Sequence, residues 1–197
     1  PSPVDAAKVA IAAGAHGITA HLREDRRHII DRDIREIRDS IDTRFNFEMA
    51  NVPEMIEIAI ATKPDIVCIV PEKREEVTTE GGLDVYGHFE SIRQLVVRMN
   101  DAGIDVSLFI DPDAPQVEAS AKSGAQFVEL HTGMFAGAFD SGKDLELETE
   151  RLLSGAIQAN ALGLGVNAGH GLNIRNLPAL FAVPYLQELN IGHSIVS

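Results

Sequence analysis

Strand-like and helix-like stretches alternate along this chain from end to end, and few folds accept that order. Strand signals fall at 17–22 (GITAHL), 44–50 (RFNFEMA), 66–71 (IVCIVP), 105–111 (DVSLFID), 127–132 (FVELHT), 165–169 (GVNAG) and 188–192 (ELNIG). Helical signals fall between them, at 3–13, 31–41, 53–62, 87–102, 114–123, 143–162 and 174–182. Ser2 and Asp31 stand where helix starts want a capping side chain. Gly14, Gly103, Gly124 and Gly163 each follow a helix, where a left-handed residue is favoured. Strict alternation specifies a mostly parallel sheet, either open and doubly wound or closed as a (β/α)8 barrel.

The strand faces choose between the two. In 17–22, Ile18, Ala20 and Leu22 share one face, while Thr19, His21 and Arg23 share the other. In 44–50, Arg44, Asn46 and Glu48 oppose Phe45, Phe47 and Met49; in 127–132, Glu129 and His131 alternate with Val128, Leu130 and Thr132. Strands of an open parallel sheet, covered on both sides, are apolar on both faces. One polar face per strand calls for an enclosed polar lumen, so the expected fold is a (β/α)8 TIM barrel, a single domain over 1–197. No glycine-rich dinucleotide fingerprint follows an early strand. The order begins with a helix and stops at a strand, giving seven of eight strands without the first strand and last helix. Residues 17–22 and 188–192 are therefore expected to be the barrel's second and eighth strands.

Composition narrows the partners. With 17 Lys and Arg against 30 Asp and Glu, the net charge is −13, which argues against nucleic acid or an anionic membrane as a general partner. Seven of those 17 basic residues nevertheless crowd between Arg23 and Arg44. Arg35 and Arg38 interleave with Glu36 and Asp39 as a solvated helix face, whereas strand parity sets Arg23 beside His21. Cys68 is a lone cysteine among Ile66, Val67, Ile69 and Val70, expected as a buried apolar filler. No apolar run approaches the roughly 20 residues of a membrane span, and nothing reads as a signal peptide. A cytoplasmic protein is expected.

Catalytic groups of such barrels lie at the carboxyl ends of the strands and in the loops after them. Those positions hold His21 and Arg23, Glu48, Glu72 with Lys73 and Arg74, Asp111, Glu129 and His131, His170, and His193. The turns NAGHGL (167–172) and NIGHS (190–194) suit phosphate, because glycine lets backbone N–H groups approach an anion. EVTTEGG (76–82) has the make-up of a lid. His131 reads equally well as structural. Lys73 lies past its strand, which argues against a Schiff-base lysine.

The segments GITAHLREDRRHI, FNFEMA, VPEKREEVTTEGGLDV, VSLFIDPD, ELHTG, NAGHGLN and ELNIGHSIV resemble the pyridoxine 5′-phosphate synthase family from end to end. The resemblance implies a TIM barrel with extra helices that closes a ring without cofactor or metal. It would condense 1-deoxy-D-xylulose 5-phosphate with 3-amino-2-oxopropyl phosphate, giving pyridoxine 5′-phosphate, inorganic phosphate and water. By motif position, His21, Glu48 and His170 correspond to acid–base residues, and Glu129 to a transition-state stabiliser. Arg23, His28 and Thr78 fall where the deoxyxylulose phosphate is held; Gly171, Gly192 and His193 fall at the other phosphate. Similar enzymes form homo-octamers. The family's first-strand Asn-x-Asp-His segment has no counterpart in this sequence. Three rivals stay open: another barrel enzyme acting on one phosphorylated sugar, a metal-dependent hydrolase using His21, Glu129, His131 and His170, and a barrel that only binds a phosphate metabolite.

Overall fold

The computed structural model describes residues 2–78 and 81–196. Seven parallel strands pair in chain order: β1 (Gly17–His21), β2 (Arg44–Met49), β3 (Ile66–Ile69), β4 (Asp105–Ile110), β5 (Phe127–His131), β6 (Gly165–Gly169) and β7 (Leu186–Asn190). The helices among the described residues are α1 (Pro3–Ala12), α2 (Asp31–Ser40), α3 (Pro53–Thr62), α4 (Phe89–Asp101), α5 (Ala114–Ser123), α6 (Gly133–Ser141), α7 (Leu145–Ala161), α8 (Leu177–Leu180) and α9 (His193–Val196). Ser2 Oγ caps α1 by accepting from Asp5 N at 3.3 Å, and Gly14, Gly103, Gly124 and Gly163 all adopt positive φ after their helices. Asp31 is not a cap. It lies in the first turn of α2, and Asp33 accepts from Ile30 N at 3.0 Å instead.

Strand parity divides the interior as the sequence predicts. Ala20, Phe45, Phe47, Met49, Val67, Ile69, Val106, Leu108, Ile110, Val128, Leu130 and Val166 form the core between sheet and helices. Full burial of each larger side chain is worth about 1.5–3 kcal/mol, so this layer carries most of the fold. The opposite parity faces a polar lumen. There the first and last strands meet through side chains: Thr19 Oγ1 donates to Asn190 Oδ1 at 2.7 Å. Asn46 Nδ2 donates to Thr19 Oγ1 at 3.3 Å, and Asn190 Nδ2 donates to Glu129 Oε2 at 2.7 Å. The sheet is thus a curled half-barrel of TIM type, its β1 and β7 edges tied across the interior while their backbones stay unpaired among the described residues.

Three elements differ from expectation. A register irregularity between Val166 and Asn167 sets β7 at 186–190 rather than 188–192, and Gly192 O accepts from Ile195 N at 3.0 Å to start α9. Residues 174–182 hold only the short α8, because Asn173 and Asn176 bond each other's backbone: Asn173 N to Asn176 Oδ1 at 2.9 Å and Asn176 N to Asn173 Oδ1 at 3.3 Å. Short amide side chains that capture nearby N–H groups compete with helix in this way. The sequence signals for α6 were too weak to predict it, since GMFAGAF mixes glycine with apolar residues and shows no clear helical stripe.

Candidate active site

The first flank of the lumen mouth is built on β1, β2 and the loop after β3. His21 ends β1, and its Nε2 lies 2.9 Å from Glu72 Oε1. The other oxygen of Glu72 accepts from Glu24 N at 3.0 Å, which fixes this buried carboxylate. The second ring nitrogen of His21, Nδ1, stands 4.0 Å from Glu48 Oε2. Burial raises the pKa of Glu48 above the usual carboxylate range, with His21 partly opposing. Just outside, Arg23 Nε meets Asp25 Oδ1 at 3.3 Å, and Arg27 reaches the same carboxylate at 2.6 Å. Arg26 turns away with a left-handed backbone, φ 51°, to bond Asp31 and Glu54. That splits the basic cluster into a structural Arg26 and an Arg23–Asp25–Arg27 group at the rim. His28 is exposed beyond it.

The second flank is built on β4, β5 and β6. Glu129 is buried at mid-strand, where its Oε2 accepts from Asn190 Nδ2 and, at 3.5 Å, from the Cys68 thiol. Burial, then the neighbouring Glu48, push its pKa up to about 8, against the hydrogen bonds from Asn190 and Cys68. Near neutral pH it is largely a carboxylic acid. Gly169 on β6 makes room for it, because a methyl group there would overlap Oε1. Cys68 is therefore buried as expected but is not a filler of the apolar layer; it lines the lumen and touches Glu129. Two residues further up β5, His131 Nδ1 lies 3.0 Å from Asp111 Oδ1. Its ring meets that of His170 edge to face at 5.0 Å between centroids. Phe109 lies tilted against both rings, with centroids 5.0 Å from His131 and 6.5 Å from His170. Burial first, then His131, lower the pKa of His170.

His170 and Gly171 are consecutive left-handed residues, with φ 84° and 75°. That conformation strains a histidine, and such strain persists only where surroundings impose it. Here Thr132 Oγ1 bonds the carbonyl oxygens of Gly169 and His170 at 2.7 and 2.6 Å. In the segment 76–82, Val77 is bridged to Leu83 and Thr78 N donates to Gly82 O at 2.9 Å. Thr79 and Glu80 of that segment lie outside the described residues. Thr78 Oγ1 also donates to Asp111 Oδ2. Gly192 and His193 stand at the rim after β7, and a methyl group on Gly192 would meet nothing within 4 Å.

The profile of the family described as "Pyridoxal phosphate biosynthesis protein PdxJ" matches residues 1–197. The chain belongs to the PdxJ family. A pyridoxine 5′-phosphate synthase of Photobacterium profundum is 56% identical over the whole of this chain and 81% of its own length. One of Geotalea daltonii is 54% identical, again over the whole chain and 82% of its length. Among solved structures, a phosphoribosyl anthranilate isomerase from Thermus thermophilus superposes with a TM-score of 0.60 at 16% identity, covering 96% of this chain and 82% of that one. That likeness speaks for the barrel fold alone.

In this PdxJ chain the structure brings His21 and Glu48 together, and seats Glu129 close enough for Glu48 to act on its charge. His170 joins the second flank from the turn just after β6, the strand that neighbours Glu129's β5. Glu48 is not the partner of Arg44, which pairs with Glu188 at 3.7 Å and lies over the Phe127 ring. Sequence reading left Glu72, Asp111 and Asn190 without roles. All three were visible as polar residues at strand ends, but only the fold pairs them with His21, His131 and Glu129. Among the described residues no three His, Cys, Asp or Glu side chains converge as a metal site, and no helix is long and apolar enough to cross a membrane.

Proposed function

We propose that this PdxJ-family chain is a pyridoxine 5′-phosphate synthase. It condenses 1-deoxy-D-xylulose 5-phosphate with 3-amino-2-oxopropyl phosphate, closing the pyridine ring with release of phosphate and water. The observation that supports it most is the single lumen into which His21, Glu48 and Glu129 project, with His170 at its rim. Joining an amine to a ketone, eliminating phosphate and closing a ring demand repeated proton transfers. Each positioned acid or base contributes about 10²- to 10⁴-fold.

The local chemistry suggests the division of roles. His21 faces carboxylates at both nitrogens and Glu48 is a carboxyl with a raised pKa, so the pair suits proton exchange with the bound ketone. His170, with its lowered pKa, serves as a neutral imidazole. Glu129, protonated near neutral pH, donates a hydrogen bond to oxygen as negative charge develops. Arg23, His28 and Thr78 hold the deoxyxylulose phosphate, which displaces Asp25 from Arg23; an arginine–phosphate pair is charge-assisted and directional. Gly171, Gly192 and His193 take the other phosphate. The substrate supplies the amine, so neither a Schiff-base lysine nor a cofactor or metal is required. From the same resemblance we extend the reading to a cytoplasmic homo-octamer.

Incubation with both phosphorylated substrates should yield pyridoxine 5′-phosphate, identified by mass spectrometry, while neither substrate alone should react. Turnover of a single sugar phosphate would favour the isomerase or aldolase rival instead. Binding with no product would favour the inert barrel.

A further inference from the structure

His131 is enclosed more tightly than a histidine needing only solvent would be. Its side chain is 9% exposed and that of Asp111 is 1% exposed. Gly81 and Gly133 flank the ring: a methyl on Gly81 would stand 3.1 Å from Cε1, and one on Gly133 would stand 2.5 Å from Nε2. One ring nitrogen is engaged by Asp111, while Nε2 has no protein hydrogen-bond partner among the described residues. The unpaired nitrogen lies beside Gly133, with the His170 ring next to it.

Asp111 is the hub of this corner. Its Oδ1 faces His131 Nδ1, and its Oδ2 accepts from Thr78 Oγ1 and, at 3.3 Å, from Gly82 N. Burial by itself would raise its pKa, but the hydrogen bonds from His131 and Thr78 outweigh it and the carboxyl sits below its ordinary range. An ionised carboxylate is an acceptor only, so the ring nitrogen facing it carries the proton. In the neutral ring the other nitrogen, Nε2, then bears the lone pair.

We propose that Asp111 is a positioning residue that holds His131 as the Nδ1-protonated tautomer and so presents its Nε2 lone pair, beside His170, as a further proton acceptor for the ring-closing reaction. A proton leaving the substrate passes to Nε2, giving a ring protonated on both nitrogens. The same proton then passes to a departing oxygen as water leaves, and His131 returns to its starting tautomer. The inference rests on the reaction proposed above, but the geometry of the dyad does not.

The test is nuclear magnetic resonance of the full chain labelled with nitrogen-15 histidine, together with kinetics of Asp111→Asn and His131→Gln. In the wild type, His131 should show a protonated Nδ1 and a bare Nε2. In Asp111→Asn the carboxamide oxygen stays with Thr78 and Gly82 while its NH₂ group faces the ring, forcing the proton to Nε2. That swap should lower kcat by at least about 10²-fold, as the wrong tautomer does in histidine–aspartate pairs generally, with KM for either substrate moving less than about threefold. His131→Gln should lose a similar factor. A wild-type ring protonated at Nε2, or either variant keeping kcat within about twofold, overturns the proposal. The tautomer is read without substrate, so it is decided separately from whether the wild type makes pyridoxine 5′-phosphate.

Discussion

Both flanks of the mouth set a histidine against a buried carboxylate, and they use opposite ring nitrogens. On the β1 side His21 offers Nε2 to Glu72 and leaves Nδ1 facing Glu48 at 4.0 Å. On the β4–β6 side His131 offers Nδ1 to Asp111, and its open nitrogen faces the neighbourhood of a second histidine. The first histidine is hemmed in by acceptors; the second keeps a lone pair. A barrel lumen thus holds two histidine–carboxylate pairs of opposite ring sense a few side chains apart. Strand parity supplies the side chains, and the loops after β3 and β4 supply the carboxylates that set their sense.

The comparison breaks first if one flank proves dispensable. Glu48→Gln should cost at least about 10²-fold in turnover while the protein still folds; near-normal rates would remove the first flank from the chemistry. Gly169→Ala should come next, at about 10-fold or more, because the added methyl group overlaps Glu129 Oε1 and displaces the acid from Asn190. Activity like that of the wild type would mean that the position of Glu129 is not critical. Arg23→Ala should chiefly weaken binding of deoxyxylulose phosphate, about 10-fold, and calorimetry showing unchanged affinity would remove the clamp.

Stability against pH sharpens the picture of the interior. Glu129 has a folded-state pKa of about 8 against an ordinary 4.5. Its contribution to stability is therefore complete below about 4.5 and is lost as pH rises through about 8. Glu48 is shifted in the same direction. The urea midpoint of the wild type should fall between pH 5 and 9, and Glu129→Gln should fall less over the same range. Parallel curves would show that Glu129 is not held as a neutral acid. Smallest of all, Gly192→Ala should leave the melting temperature within about 2 °C, since nothing lies within 4 Å of the added group, yet should raise KM for the aminoketone phosphate. An unchanged KM would remove Gly192 from the anion site.

Period-two patterning carried most of the fold into view, because a polar lumen forces one face of each strand to differ from the other. The same parity put His21, Glu48 and Glu129 on one side of the sheet, where the structure has them near one another. It could not reveal Glu72 or Asp111 as partners, since each reaches its histidine from a loop or strand distant in sequence. Cys68 was hidden by its apolar neighbours: Val67 and Ile69 belong to the helix-facing core, while Cys68 itself points inward. The shift of β7 came from an irregularity against β6 that no local pattern marks. Arg26 looked like one of a basic cluster until its backbone turned it toward Asp31 and Glu54.

The central claim is that one lumen carries two phosphorylated molecules through a single ring closure. Its most direct measurement is the stoichiometry of phosphate and ring product formed by chelator-treated wild type. The account predicts one inorganic phosphate for each pyridoxine 5′-phosphate, rising together and only when both substrates are present. Phosphate released from one substrate alone, or without matching ring product, would contradict it.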